Sequence, residues 1–551
     1  MPEPDHKPYM SNSAEVGTTR LDAALAHIRA HAGAAVQDLA RMVAVDTRFP
    51  PGAGYSAFAC LMEGLIAPLV VPLGLHMHRV EVPPALWHVP GSEAATGHAQ
   101  DARVNLIAGP GGHREKRDVC GLYFHVDTVP VAQGWTRDPF KLSVEGDRLY
   151  GLGAADMKGT IAAVLLALRA AAACRLTLAY DPMLLFCTDE EGGLYPGIRY
   201  LAEKGELAGH ILNFNGAAAP RIWAGCFGMF NLLVRLRGRG AHAGDPGGAV
   251  NVIHAALPVL RAIDALRPIV AERVSALPPP PHALGPLAAS LSIARAHGGT
   301  GASQVPSCFE IVLNRRYPPE EDFATARAEL EAAITAAAPP DVAVEIVLVG
   351  HLMPTADPAG PHWPRWQRAL SLGFGYAADE FRAWGSATCS DFGFVQQTGM
   401  REVLLSGLTR PDRNAHAADE FTTLADIVAL AQSVLAYLAA DFALPPSGPN
   451  QLKFLVLFSK RTPSFLSHPP EEHRHDRPVP PRVSGRLRRR RATAATGPRR
   501  SAEPRRRVAD FGRPGRQCAQ SAARAGKPGI FGGRAALQRP HAPQPADDGR
   551  A

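Results

Sequence analysis

At 551 residues, with 46% hydrophobic and 20% charged side chains, the chain has the make-up of a globular protein with core enough for more than one domain, not of a disordered or fibrous one. Its formal charge of +7 is unevenly spread: residues 471–551 hold 20 Lys and Arg against 7 Asp and Glu, so this tail alone is +13 and residues 1–470 carry −6. An overall basic, nucleic-acid-binding body is thereby argued against, and eight scattered cysteines without a CxxC pair argue against a disulfide framework or a thiolate zinc site.

The first residues, MPEPDHKPYMSNSAEVG, show no basic segment followed by an apolar run. No later stretch approaches the roughly 18 apolar residues of a membrane span, so no membrane partner is expected and the predicted location is the cytoplasm. From Arg20 to Thr47, RLDAALAHIRAHAGAAVQDLARMVAVDT has apolar residues at helical spacing and is stopped by RFPPG. CGLYFHVDT then reads as a strand, TIAAVLLALRAAAACR as a helix and MLLFCTDE as another strand. That alternation predicts an α/β domain with a mixed, largely parallel sheet, whose chemistry gathers at the carboxyl ends of strands.

The texture changes between residues 225 and 349. GMFNLLVRLRGRG and CFEIVLNRRY read as strands, NVIHAALPVLRAIDAL and PEEDFATARAELEAAITAAA as helices, and VAVEIVLVG follows. Two strand–helix units of this size suggest a smaller α/β domain inserted into the larger one. The expected organisation is a first catalytic segment at 20–224, the insertion at 225–349 and a second catalytic segment at 350–444. The last segment contains PRWQRALSLGFGY, REVLLSG and the helical run TTLADIVALAQSVLAYLAADFAL. Residues 445–551, rich in Pro and Arg with runs such as RLRRRR, read as a disordered tail.

Three strand ends carry candidate ligands: His125 and Asp127 in LYFHVDTVP, Asp156 in YGLGAADMKGT, and the pair Glu190 and Glu191 in LLFCTDEEGG. Singly, each is more often structural than functional. Together, imidazole and carboxylates suit zinc or a similar divalent ion, and a carboxylate such as that of Asp156 can bridge two ions.

HVDTVP, GLGAADMKG, TDEEGG, RGRGAHAG, SDFGF and NAHAADEF stand in the order found in the M20 metallopeptidases, the group of acetylornithine deacetylase, succinyl-diaminopimelate desuccinylase, aminoacylase and carboxypeptidase G, which residues 20–440 resemble. The resemblance implies a zinc-exopeptidase-like catalytic domain with an inserted lid that dimerises. It implies two Zn²⁺ ions, for which Co²⁺ or Mn²⁺ can substitute, with His125 on one ion, Asp156 bridging, and Glu191 and His416 on the other. Asp127 would accept a hydrogen bond from the His125 ring and fix its tautomer. Glu190, left free of metal, would be the general base that takes a proton from water and returns it to the leaving amine. Asp189 would cap or orient the loop, Gly192 and Gly193 would turn it, and the Asp156–Met157 peptide bond would be cis.

One departure stands out. Where the family supplies a further acidic ligand to the first ion, this chain has HILNFNGAAAPRIWAG, in which Asn215 is the nearest match and Asn213 the next. A neutral carbonyl binds zinc more weakly than a carboxylate, so the first ion is expected to be the weaker one. Three outcomes stay open here: a working two-metal site, a one-metal enzyme, or a catalytically lapsed member that dimerises and binds a small ligand. In the inserted domain His242 matches a histidine that reaches the neighbouring subunit's active site, which implies a homodimer. Arg316 matches an arginine that grips the substrate carboxylate, whereas Arg315 faces the other way. Asp391, with Gly385 and Ser386, and Gly407 match pocket-lining positions. The expected activity is hydrolysis of an amide bond in an N-acyl amino acid or small peptide with a free carboxylate. Nucleic acid is not expected as a partner, because the basic tail has no interleaved aromatics.

Overall fold

The computed structural model describes residues 19–49, 55–87, 102–110, 119–191, 195–281 and 283–442. The tail from 445, and the turn at Gly192 and Gly193, lie outside them. A six-stranded sheet runs in the order Leu75–Glu81, Val104–Pro110, Asp181–Cys187, Val119–His125, His210–Asn213, Val403–Leu405. The last four are parallel to one another and the first two join antiparallel, which makes the sheet mixed and largely parallel. Every residue of the central strand, VCGLYFH, is buried, as befits a strand covered on both faces.

The helix Lys158–Ala173 is apolar nearly all round and therefore buried, packing on Ala32–Val43 and Leu424–Leu438 within the same core as the sheet. The predicted helix from Arg20 is in fact two, Arg20–Ala30 and Ala32–Val43, divided at His31, whose φ of −113° and ψ of 19° leave the helical region. Thr19 opens the first of them with a capping box to Asp22. A second expectation is corrected at residues 55–73. This 19-residue helical stretch is long and apolar enough to cross a membrane by length and composition. Its Phe58, Leu61, Met62, Ile66 and Val70 are buried in the core of the main sheet, so one apolar face is already occupied.

Between Gly228 and Leu352 an antiparallel sheet of four strands has its own core, built on Phe230, Leu232, Val234, Ile263, Leu313 and Leu330. Its order is Ser290–Gly298, Cys308–Tyr317, Gly228–Arg237, Ala343–Leu352. Two helices complete it, Val252–Ala271 capped by Asn251 and Phe323–Ala337 capped by Asp322. The edge strand Ser290–Gly298 has no counterpart in the sequence reading. It is mostly exposed, so SLSIARAHG carries no apolar run to betray it. Along Cys308–Tyr317 burial alternates, which sends Arg315 into an ion pair with Glu321 and leaves Arg316 on the opposite face. A third sheet, Thr355–Ala356, Arg221–Cys226 and Arg382–Ser386, adjoins the start of this segment. Gly225 there has φ +127° and would bring a Cβ to 2.3 Å from the Thr355 carbonyl oxygen, so no other residue fits.

Candidate functional site

Strand register brings the candidate ligands together. His125 pairs with Cys187 in parallel, and Tyr123 with Asn213, so His125, Asp189 to Glu191 and Asn215 leave the same sheet edge at neighbouring carboxyl ends. The remaining two segments meet through a separate pairing. Phe421–Thr423 runs antiparallel to Arg148–Tyr150, which sets the stretch before Phe421, with His416 and Glu420, against the stretch after Tyr150, with Asp156.

The result is a compact set of donors. His125 Nε2 lies 3.1 Å from Asp156 Oδ1, and His416 Nε2 lies 3.4 Å from Asp156 Oδ2 and 3.3 Å from Glu191 Oε1. The ligand atoms of Asp156, Glu191 and His416 fall within 4.8 Å of one another, as do those of His125, Glu190 and Glu191. Glu191 Oε1 is buried with the His416 ring 3.3 Å away, and among the described residues Asp127 Oδ1 is buried with no hydrogen-bond partner. The crowding shows in the protonation states. The hydrogen bonds and charges of Asp156 and Glu191 push His416 up to about 11. Burial opposes a charge on His125, but Asp156, Glu190 and Asp127 outweigh it and hold its pKa well above the ordinary value. A cation in place of those protons would satisfy the same oxygens, so these imidazoles and carboxylates fit a divalent metal. The Asp156–Met157 bond is cis, and His416 takes the left-handed φ of +64°.

The structure alters several expected roles. The His125 ring is oriented by the backbone carbonyl of Asp127, 3.0 Å from Nδ1, while the carboxylate that was expected to accept this bond stands at 3.7 Å. The consequence for the tautomer is unchanged, because a neutral ring that donates from Nδ1 leaves Nε2 toward Asp156. The Asp127 carboxylate instead accepts from the Glu191 backbone N–H at 2.9 Å. Asn215, the neutral stand-in for an acidic ligand, donates from Nδ2 to Glu190 Oε1 at 2.8 Å. Asn213 caps the Asn215 N–H through Oδ1 at 2.8 Å. Burial, and then the charges of Glu191, Asp391 and Asp156, raise Glu190 well above an ordinary carboxyl against the pull of His125.

A cavity of about 520 Å³ opens above these groups, lined by Asp156, Glu190, Glu191, Asn215 and His416 on one side and by Arg316, Ser386, Thr388 and Cys389 on another. Arg316 donates from Nη1 to the Ala387 carbonyl at 3.2 Å and contacts Cys389 Sγ at 3.3 Å. Asp391 and Gly407, expected at the wall, are not among its lining residues. Asp391 is fully buried and accepts from the Tyr123 hydroxyl. A Cβ on Gly407 would meet the Gly216 carbonyl oxygen at 2.0 Å, so that glycine permits a close backbone approach. His242 is exposed, accepts from the Gly244 N–H at 3.1 Å and lines a different cavity of about 430 Å³ with Thr300, Ser303 and Gln304. Within one chain it is not brought to Glu190.

Two supports escaped the sequence reading. Glu420 accepts from the backbone N–H groups of Gly153, Ala155 and Asp156 at 3.0, 2.9 and 3.1 Å and so shapes the loop that presents Asp156. Arg103 and Tyr55 hold Asp189, the residue before Glu190, at 3.1 and 2.7 Å. The available signals were a carboxylate four residues past His416 and a charge opening the apolar run RVNLIAG.

Burial raises Asp391 to about 7, Glu420 to about 7 and Asp189 to about 6. A carboxyl whose folded pKa is raised binds its proton more tightly when folded. Its contribution is fully present below its ordinary value and is lost as pH rises through the folded value. For chelator-treated protein, the melting temperature relative to that of Asp391→Asn should therefore fall as pH rises from about 4 to about 7. The Asn side chain still accepts from Tyr123 and no longer titrates. A gap between the two proteins that stays constant over this range would refute the assignment.

A profile described as "Peptidase family M20/M25/M40" matches residues 121–440. A succinyl-diaminopimelate desuccinylase of Thioalkalivibrio sulfidiphilus is 29% identical over 389 residues, 67% of this chain and 90% of the relative. An acetylornithine deacetylase of Yersinia pseudotuberculosis is 30% identical over 221 residues, 39% of this chain and 54% of the relative, so the chain spans about half the length of that protein. Among solved structures, human carnosine dipeptidase 1 superposes with a TM-score of 0.60 over 76% of this chain and 98% of its own, at 18% identity. A di-peptidase of Saccharomyces cerevisiae gives 0.60 over 76% and 97%, at 15% identity. At these identities the two structures bear on the fold alone.

Proposed function

The chain belongs to peptidase family M20/M25/M40 and is a hydrolase of amide bonds, and on that footing we propose that it cleaves an N-acyl amino acid or small peptide with a free carboxylate, using Glu190 as general base. The observation that carries this reading is the position of Glu190, a buried carboxylate at the wall of a cavity that also presents metal donors and the Arg316 guanidinium. Zinc, replaceable by Co²⁺ or Mn²⁺, would be held by Asp156, Glu191 and His416 and, more weakly, by His125 on the Asn215 side, and would supply Lewis acidity to a scissile carbonyl and to water.

The chain's own groups do the rest. Glu190, whose pKa burial and the neighbouring acids raise, would take a proton from water and hand it to the departing nitrogen. Asn215 fixes one oxygen of that carboxylate, leaving the other for the proton. Arg316 would take the substrate carboxylate through a guanidinium fork. A homodimer through residues 225–349 is part of the proposal and would bring His242 to the partner's cavity, where it could stabilise an oxyanion. The exposed edge strand Ser290–Gly298 and the exposed Leu257, Ile269 and Ile293 of that segment support such an interface. Nothing favours the lapsed alternative, since Glu190 and both donor groups are retained.

The test is hydrolysis of N-acetyl, N-succinyl and N-formyl amino acids and dipeptides by metal-stripped protein titrated with Zn²⁺, Co²⁺ and Mn²⁺, following released amine. Turnover restored by metal is the expected result. Failure to retain metal together with silence across the panel would overturn it.

A further inference from the structure

The cavity holds a second guanidinium to which neither the sequence nor the family resemblance assigns a task. Arg221 opens the strand Arg221–Cys226 and lines the same cavity as Glu190 and Arg316. Its Nε donates to the Trp384 carbonyl at 3.1 Å, and the guanidinium carbon stands 5.5 Å from the centroid of the Trp384 ring. These contacts fix the side chain, yet among the described residues its Nη2 is buried with no hydrogen-bond partner. Burial lowers the pKa to about 10, and only the Cys226 thiol works against this. The buried arginines Arg103, Arg315 and Arg413 are different: Arg103 has Asp189, Arg315 has Glu321 and Arg413 has Asp426. A desolvated guanidinium without an anion is costly, and such groups persist where a ligand supplies the anion.

We infer that Arg221 is a carboxylate-binding residue distinct from Arg316, and that the substrate is an amide carrying two carboxylates, one for each guanidinium. Arg316 reaches the cavity from the antiparallel sheet of the 228–352 segment, and Arg221 from the strand that precedes that segment. The two charges therefore belong to different walls, and a monocarboxylate satisfies one of them only. This inference rests on the hydrolase reading and narrows its substrate class. The second carboxylate can be carried on the acyl group, as in a succinyl amide, or on the amino-acid side chain, as in an N-acyl glutamate.

Two matched pairs separate these sources: N-succinyl-leucine with N-butyryl-leucine, and N-acetyl-glutamate with N-acetyl-glutamine. With zinc-loaded protein, the dicarboxylate of one pair should be preferred by about 10- to 100-fold in kcat/KM, mainly through KM, as expected for a charge-assisted bond. In Arg221→Gln that ratio should collapse to within about threefold, whereas Arg221→Lys, which keeps the charge and controls for folding, should retain part of it. A preference absent from both pairs, or surviving in Arg221→Gln, overturns the inference. A second readout keeps the two readings apart. Glutarate should raise the melting temperature of the parent and not of Arg221→Gln. Such a shift without turnover of any substrate would sink the hydrolase reading and leave the Arg221 site standing. Turnover of N-acetyl amino acids, with neither the preference nor the shift depending on Arg221, would do the reverse.

Discussion

Replacing Glu190 by Gln should lower kcat by about 10²- to 10⁴-fold while leaving metal content and KM close to the parent's, the signature of a lost proton transfer. The substitution is nearly isosteric, and the Gln carbonyl oxygen can still accept from Asn215 Nδ2, which now donates to Glu190 Oε1 at 2.8 Å. Geometry is thus kept and basicity removed. Metal content has to be measured in the same samples, because Glu190 also lies in the donor group with His125 and Glu191. If Glu190 were chiefly a ligand, one equivalent of metal would be lost and KM and kcat would change with added zinc. A fall of less than about tenfold at full metal occupancy would show that another group carries the proton. Asn215 sharpens the contrast. A carboxylate at that position would stand beside Glu190 as a like charge, whereas the amide offers a donor, so this chain gives up ligand strength on one side of the site and gains a fixed orientation of its base.

How much of this was legible follows from what each residue depends on. His125, Asp156, Glu190 and Glu191 could be picked out because they stand at strand ends or in short polar segments, where acids or imidazoles need a cation or a partner, whereas His416 was marked only by the resemblance of NAHAADEF to the family's motif. Their convergence was not legible from spacing. It rests on the register of Val119–His125 with Asp181–Cys187 and of Phe421–Thr423 with Arg148–Tyr150, pairings between residues far apart in the chain. Tyr123 and Glu420 were invisible for the same reason, since a tyrosine inside a buried strand or an acid in a loop acquires its task only from what folds against it. Asp391 shows the opposite failure: its motif drew attention to it, but the fold buries it behind the site. The main sheet was readable from its unbroken apolar strands. The Ser290–Gly298 edge was not, because an exposed strand has no reason to be apolar.

Arg103→Met should destabilise the fold by about 3–5 kcal/mol, the loss expected when one partner of a buried ion pair is removed. The Arg103 side chain is fully buried and makes three kinds of contact: Nε to Thr188 Oγ1 at 2.9 Å, Nη2 to the Tyr195 carbonyl at 2.6 Å and Nη1 to Asp189 Oδ2 at 3.1 Å. It therefore ties the residues on both sides of the Glu190 loop to the start of the strand Val104–Pro110. Methionine fills much of the same volume but leaves Asp189 buried without its cation, with the Tyr55 hydroxyl 2.7 Å from Oδ2. Asp189→Asn should also cost stability, since it strips the guanidinium of its anion, although Asn tolerates the left-handed φ of +64° and can still accept from Tyr55. Combining the two removes both charges at once. If the pair is the source of the loss, the double variant should be more stable than the sum of the single effects predicts, by about 1–3 kcal/mol. Urea denaturation of the four proteins measures that coupling directly, and strictly additive losses would show that Arg103 acts through Thr188 and Tyr195 alone. Asp189 is the residue that immediately precedes Glu190. A variant that releases it should therefore also lower kcat at temperatures where the protein is still folded, which links the stability of this buried ion pair to the aim of the base.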